Sequence, residues 1–519
     1  MTAGSAGAAL RPHPRIEIDA ASLQGMRGLR EAKHPAWTRY DQWTRQRTPR
    51  QGDLNAILSC SLAYAVEGSR ERFDCAWQAV RASIYKNGQD RSGGLNTLLA
   101  LYNNDTHPAA YIGGAFLGGV ARFYEWCYPA LDAAERKDVV DWIKEAAEYS
   151  HVRNRSSDDY MRNDGAVVTQ GLAAAAFAIA GDDPEDGRIM GYFRERWKQT
   201  LLGLDIVGKG GATGEGNGYG ASPTGVNWVL AANVAYTAGG EDLFASHPFF
   251  RQRLLYDAFA AYPSTFGGPG APEPVSPHPV VEQAHVGGDD VRGMTSQKRS
   301  LRRIGLMLTK RFRGTEEADI WNWVYRQPAA DLAVTDTEAI WEVLYYSPPP
   351  KLVKPKRLSF FDPSMGFVYI RSDWDSPDAT WVGFWAGPHI DTHQHLDQGG
   401  FIIFKRRDLA PKTGHYDNGV FSPHHISYYI RTVSSNGILV GDPKEIFRNF
   451  IAGMGCDEKG QWTNNRIMGD AKWPGCIAND GGQRTMSPRG LAAANAAYFE
   501  KNRSEERRVG KECRYRWWP

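Results

Sequence analysis

Residues 166–180, Ala-Val-Val-Thr-Gln-Gly-Leu-Ala-Ala-Ala-Ala-Phe-Ala-Ile-Ala, are apolar on nearly every side. A helix of that composition has no face for water, so other elements must cover it all round. Helical periodicity also runs through 51–67, 72–86, 114–128, 132–151, 226–238 and 299–312, and 132–151 keeps a charged outer face. Strand-like alternation is nearly absent between residue 20 and about residue 325. Buried inner helices alternating with amphipathic outer ones predict concentric helical hairpins, an α/α toroid whose funnel can hold a chain-like ligand.

The three prolines at 348–350 end that pattern. Beyond them 366–371, 380–386, 400–405 and 437–440 read as strands. The expected architecture is multidomain α+β: an N-terminal segment 1–19, an α/α toroid over 20–335, then an antiparallel β-sandwich domain over 350–502. Residues 262–279 hold six prolines and three glycines, which excludes helix and central strand and predicts a long loop.

A chain of 519 residues with 42% hydrophobic and 23% charged residues fits a globular protein of two or three domains. No apolar run of 18 residues occurs, so no membrane partner is expected. The net charge of +2 becomes −1 without the six basic and three acidic residues of 503–519. That segment has no secondary-structure period and resembles a non-native appended tail, so the sheet domain is expected to be truncated and no nucleic-acid partner is implied. Six cysteines show no CxxC or zinc-finger spacing, and no disulfide framework can be inferred from them. The first residues lack the basic and apolar regions of a signal peptide. Aromatic residues reach 12%, with 17 Trp and 23 Tyr, a weak pointer toward carbohydrate because flat rings with one polar edge suit sugar stacking.

Between Trp385 and Phe401 the chain places His389, Asp391, His393, His395 and Asp397 at every second position. In an extended strand these five side chains share one face. No apolar core tolerates such a face, so the groups must line a wet cleft, pair with one another or hold a metal. A solvated sheet face or a histidine-rich surface turn is the alternative. The apolar runs at 381–385 and 401–404 on either side favour a site anchored on a sheet.

Three segments, in order, resemble the heparinase II/III-like polysaccharide lyases, a family that includes alginate lyases. They are Asn163-Asp-Gly at the head of the inner helix, Gly214-Glu-Gly-Asn-Gly-Tyr-Gly, and His393-x-His395-x-Asp397. The likeness extends through most of 12–500, including the opening His-Pro-Arg-Ile. It implies β-elimination from a uronic-acid-containing glycan, an acidic polysaccharide or oligosaccharide substrate, and a periplasmic or extracellular location. That chemistry needs a group to neutralise the uronate, a base for the C5 proton and an acid for the leaving oxygen. A tyrosine, ordinarily titrating near ~10, serves as acid or base only where its surroundings favour the phenolate.

By resemblance Asn163 is the neutraliser, Tyr219 the acid or acid/base, and His393 the base or a second neutraliser. Arg162, Glu215, His389 and Trp385 are expected to contact substrate. Structural alternatives exist: Asp164 as a helix N-cap, Tyr219 as a packed loop aromatic, and Arg162 and Glu215 as solvated loop charges. Where many members of the family have histidine after the asparagine, this chain has Asp164. The family's structural zinc implies His395 as a ligand, but the other two ligand positions fall near Lys412 and Ser435. One matching ligand is too few for zinc, which takes three or four. His415, Asp417, His424 or His425 would have to substitute. Otherwise Lys412 places an ammonium where the metal would sit. The cofactor is therefore left unknown. Two further readings stay open: a glycoside hydrolase using Asp164 and Glu215, and a glycan-binding protein whose catalytic site has decayed.

Overall fold

The computed structural model describes residues 10–85, 94–101, 111–155, 161, 163–239, 241–263, 295–326, 338–348, 350–376, 378–388, 393–395, 397–414, 429 and 434–437. Up to residue 344 these residues are helical, and an antiparallel sheet follows.

Helix Asn163–Ala178 lies at the centre of the helical region, as its all-round apolarity requires. It packs against helices Leu117–Cys127, Asp186–Val207 and Val226–Gly239. Small residues permit the approach. A Cβ on Gly171 would sit 1.6 Å from the carbonyl oxygen of Gly113, so the two backbones meet directly. Helix Leu54–Glu67 begins at Asp53, whose carboxylate accepts from Ala56 N at 2.9 Å, and ends at Gly68 with φ 69°. A disulfide joins its Cys60 to Cys75 of helix Arg70–Ile84. The fifteen-residue separation of these two cysteines gave no recognisable spacing; helix pairing is what brings them together.

The N-terminal segment is pinned into the helices by buried charge. Glu17 sits at φ 63°, a region most residues avoid. Its carboxylate takes a two-pronged contact from Arg122, at 2.6 and 2.8 Å, and the hydroxyl of Tyr345 at 2.8 Å. Four residues earlier, His13 lies 3.0 Å from Glu125 and 2.9 Å from Asp182, stacked on Tyr128 at 3.9 Å.

Strands β1 (Ser359–Phe361), β2 (Phe367–Arg371), β3 (Trp381–Trp385), β4 (Gly400–Lys405) and β5 (Arg407–Ala410) form one antiparallel sheet in sequential order. The short outer strands β1 and β5 carry too few alternating residues to stand out in the sequence, whereas β2, β3 and β4 fall where the alternation places them. The expected strand at 437–440 and the loop at 262–279 lie almost wholly outside the described residues. Along β3, Trp381, Gly383 and Trp385 are buried and Phe384 is exposed. The buried face meets helix Phe249–Phe259: Tyr256 packs edge-on to Phe360 and Phe367, and the Trp381 indole donates to Phe259 O at 2.8 Å. One apolar core thus runs from helices to sheet without a break.

Removing one partner of a buried ion pair leaves the other charge without its counterion, at a cost of about 3–5 kcal/mol. Glu17→Ala should therefore destabilise the protein by roughly that amount in urea denaturation; a loss below about 1 kcal/mol would mean that Arg122 finds equivalent partners.

Candidate functional site

Residues 210–221, which carry the glycine-rich motif, are held from beneath. Gly211 has φ 91°, and a Cβ there would lie 2.5 Å from the Arg253 backbone nitrogen, so only glycine fits. Arg253, fully buried on helix Phe249–Phe259, donates to Gly211 O at 3.3 Å and Gly220 O at 3.1 Å, gripping both ends of the loop. Its charge is balanced by Asp257, 2.8 Å away and equally buried. Tyr256, one residue before Asp257, donates its hydroxyl to Asn217 Oδ1. Burial pushes that phenol well above its usual pKa, keeping it a donor.

A second tether comes from the sheet. Asp362, between β1 and β2, accepts from Ala212 N at 3.0 Å, Ser364 N at 2.7 Å and Met365 N at 3.0 Å. Burial raises its pKa, only partly offset by these backbone donors.

Within 210–221 every residue is buried except Tyr219, which keeps partial exposure. Its ring stacks on that of His393, with centroids 3.9 Å apart and planes 13° off parallel. Face-to-face stacking puts the phenol hydroxyl and the imidazole nitrogens at the perimeter of the pair. Asn163 joins through the same loop: its side-chain amide donates to Glu215 Oε1 at 2.9 Å and its backbone N–H to the same oxygen at 3.3 Å. Thr224 donates to the other oxygen of that carboxylate. Asn163 is the first residue of its helix, so the Glu215 charge sits against the positive end of the helix dipole.

Several expectations need correction. Glu215 has no exposure, and its carboxylate is turned to Asn163 and Thr224; it orients the asparagine rather than reaching outward to sugar. Trp385 is 1% exposed in β3 and forms part of the core, so it offers no face for sugar stacking. Asp164 is not an N-cap but lies inside the first turn. The described part of the histidine run, His393–His395 and Asp397, lies in neither β3, which ends at Trp385, nor β4, which begins at Gly400. The connection between these strands is knitted by amide side chains: Gln394 Nε2 donates to Pro388 O at 2.7 Å, and Gln398 Oε1 accepts from Gly387 N at 2.9 Å. Arg162, His389, Asp391, His415, Asp417, His424 and His425 lie outside the described residues.

His395 and Asp397 are fully buried together with Lys412, which follows β5. The ammonium is 2.7 Å from Asp397 Oδ2 and also bonds His395 Nδ1. Burial alone would raise the Asp397 pKa; Lys412 foremost, together with His395 and the Trp385 indole, holds the carboxyl below its usual range. The zinc implied by sequence resemblance does not fit this donor set. Lys412 supplies a cation where a ligand is needed, and among the described residues no group of three or more His, Cys, Asp or Glu side chains could hold a metal.

Sequence reading missed Arg253, Asp257 and Thr224. The signal available for the first two was an Arg-x-x-x-Asp spacing on one face of an aromatic-rich helix.

No family model matches the chain, and no curated protein does. Among solved structures it is similar to a heparinase III, at 13% identity and a TM-score of 0.45, covering 82% of this chain and 70% of that one. It is similar to another structure of heparinase III at 11% identity and a TM-score of 0.45, covering 81% and 70%. It is also similar to a heparan sulfate lyase from Pedobacter heparinus at 14% identity and a TM-score of 0.42, covering 81% and 60%.

Arg253→Met should loosen the 211–220 loop and leave Asp257 without its cation, lowering stability by about 3–5 kcal/mol. Limited proteolysis should then cut within that loop. The double variant Arg253→Met/Asp257→Leu should recover part of the loss, because no charge is left buried alone; no recovery would show that loop anchoring, not charge balance, dominates.

Proposed function

We propose that this protein is a polysaccharide lyase that cleaves a uronic-acid-containing glycan by β-elimination, with Tyr219 as acid/base and Asn163 and His393 neutralising the carboxylate. The observation that carries this reading is the Tyr219–His393 stack, at 3.9 Å, formed by the one partly open residue of an otherwise buried loop. Asn163 is tied to that loop through Glu215, so all three residue types the reaction needs are anchored on one framework.

The proposed chemistry is as follows. Hydrogen bonds from the Asn163 amide and the His393 ring to the uronate spread the charge that develops when C5 loses its proton. Ionised Tyr219 takes that proton. The C5–H electron pair becomes the C4=C5 double bond, the C4–O bond breaks, and the departing glycosidic oxygen takes its proton from the Tyr219 hydroxyl. The phenolate is restored and no water is consumed. A hydrolytic reading needs two carboxylates facing the sugar, and Glu215, buried against Asn163 and Thr224, is badly placed for that role.

In this reading residues 20–335 form the α/α toroid and 350–502 a β-sandwich domain, with the substrate between them. A periplasmic or extracellular setting agrees with the Cys60–Cys75 disulfide, since such bonds persist in oxidising compartments. Among the described residues no helix is long and apolar enough to cross a membrane.

Incubation with a panel of alginate, glycosaminoglycan, ulvan-like and gellan-like polymers tests the reaction class. Elimination yields a UV-absorbing unsaturated uronate, hydrolysis only a new reducing end. Tyr219→Phe should lower turnover by roughly 10²–10⁴-fold with fold and polymer binding intact. Asn163→Ala should lower it by about 10²–10³-fold. Retention of most elimination activity by Tyr219→Phe would move the proton chemistry to His393.

A further inference from the structure

The Lys412 side chain ends in a space with no access to water, against one carboxylate and one imidazole, both themselves fully buried. The ring of Tyr429 closes the cluster, its centroid 5.5 Å from the ammonium and its plane edge-on to His395 at 4.5 Å. An ammonium has donors and no lone pair. His395 Nδ1, bonded to Lys412, is therefore the acceptor. With the ammonium as donor the ring proton falls on Nε2, the tautomer that the NMR arm below tests. The lone pair and carboxylate oxygen engaged by Lys412 are the donor types a divalent cation would bind.

We propose that Lys412 is a resident cation that does the work of a metal ion at this site. It cross-links the His393–Asp397 segment to the chain after β5 and so holds His393, two residues from His395, in register with Tyr219. Lys412 is a positioning residue, not a catalytic one. The cross-link stands on geometry alone; only its consequence for turnover rests on the lyase reading. A single ammonium answers the one carboxylate of the cluster, Asp397, at 2.7 Å.

The experiment uses the full chain and reads metal, tautomer and melting before activity. The purified protein should contain well under 0.1 equivalent of zinc, and neither EDTA nor added Zn²⁺ should shift its melting temperature. In ¹⁵N-histidine NMR, His395 should show a pyrrole-like Nε2 and an acceptor-type Nδ1. Lys412→Asp creates a three-ligand set with His395 and Asp397; its melting temperature should rise with Zn²⁺ and fall again with EDTA. About one zinc per wild-type chain, an EDTA-sensitive melt, a protonated Nδ1, or a folded Lys412→Asp variant indifferent to zinc would each overturn the proposal. Should Lys412→Asp fail to fold, the wild-type metal and tautomer measurements still decide it. The Lys412→Met/Asp397→Asn variant, which removes both charges together, then supplies the activity arm. It should lower kcat about tenfold with KM within about twofold, since His393 is displaced while the helical residues are untouched. Unchanged kcat would overturn the positioning role without touching the assignment of Tyr219, which Tyr219→Phe tests separately.

Discussion

The guanidinium of Arg253 is the contact on which the site's geometry depends. It reaches Gly211 and Gly220 from a helix whose Tyr256, one turn on, packs against the aromatic face of the sheet. A shift of that helix would move the loop and the sheet together, so Tyr219 and the segment after β3 keep their relation. Carbonyl oxygens at two loop ends suit a planar fork with several donors better than a single ammonium. Asp257 then offsets the charge that the fork brings into the core. A buried ion pair is weak evidence for stability in itself, and its value here is in specifying one loop conformation.

Periodicity made the helical half legible, because packing against several neighbours writes itself into composition. The Asn163–Ala178 helix is apolar all round and is surrounded. Strands β2, β3 and β4 were legible for the same reason, each having one buried face. At His395 and Asp397 the strand expectation fails because alternation is a weak strand signal when the alternating residues are polar: both face Lys412, a partner seventeen and fifteen residues on that no local pattern predicts. Glu215 and Trp385 were misjudged for the converse reason. A charge in a glycine-rich loop and a tryptophan beside histidines look available in one dimension, yet both are fully covered in three.

The residues brought together at Tyr219 and His393 come from the helical region and from the sheet region, and neither is held by the stack alone. Tyr219 inherits its place from a loop clamped by Arg253, Tyr256 and Asp362; His393 inherits its place from a connection knitted by Gln394, Gln398 and Lys412. Two rings at van der Waals contact tolerate little relative motion. The proposed elimination would gain from that rigidity, since misplacement by about 1 Å can lower a rate a hundredfold.

Arg122, Arg253 and Lys412 solve one problem with different chemistry. Each fixes chain segments distant in sequence by placing a cation where water is excluded, and each is answered by a carboxylate, Glu17, Asp257 or Asp397. The arginines act where several oxygens must be engaged at once. Lysine acts where the partners are one carboxylate oxygen and one imidazole lone pair converging on a point, the geometry a compact charge satisfies and a planar fork does not. A metal ion satisfies the same convergence, but it must be acquired and can be lost. An ammonium belongs to the chain, so the proposed cross-link to the His393 segment needs no exogenous ion.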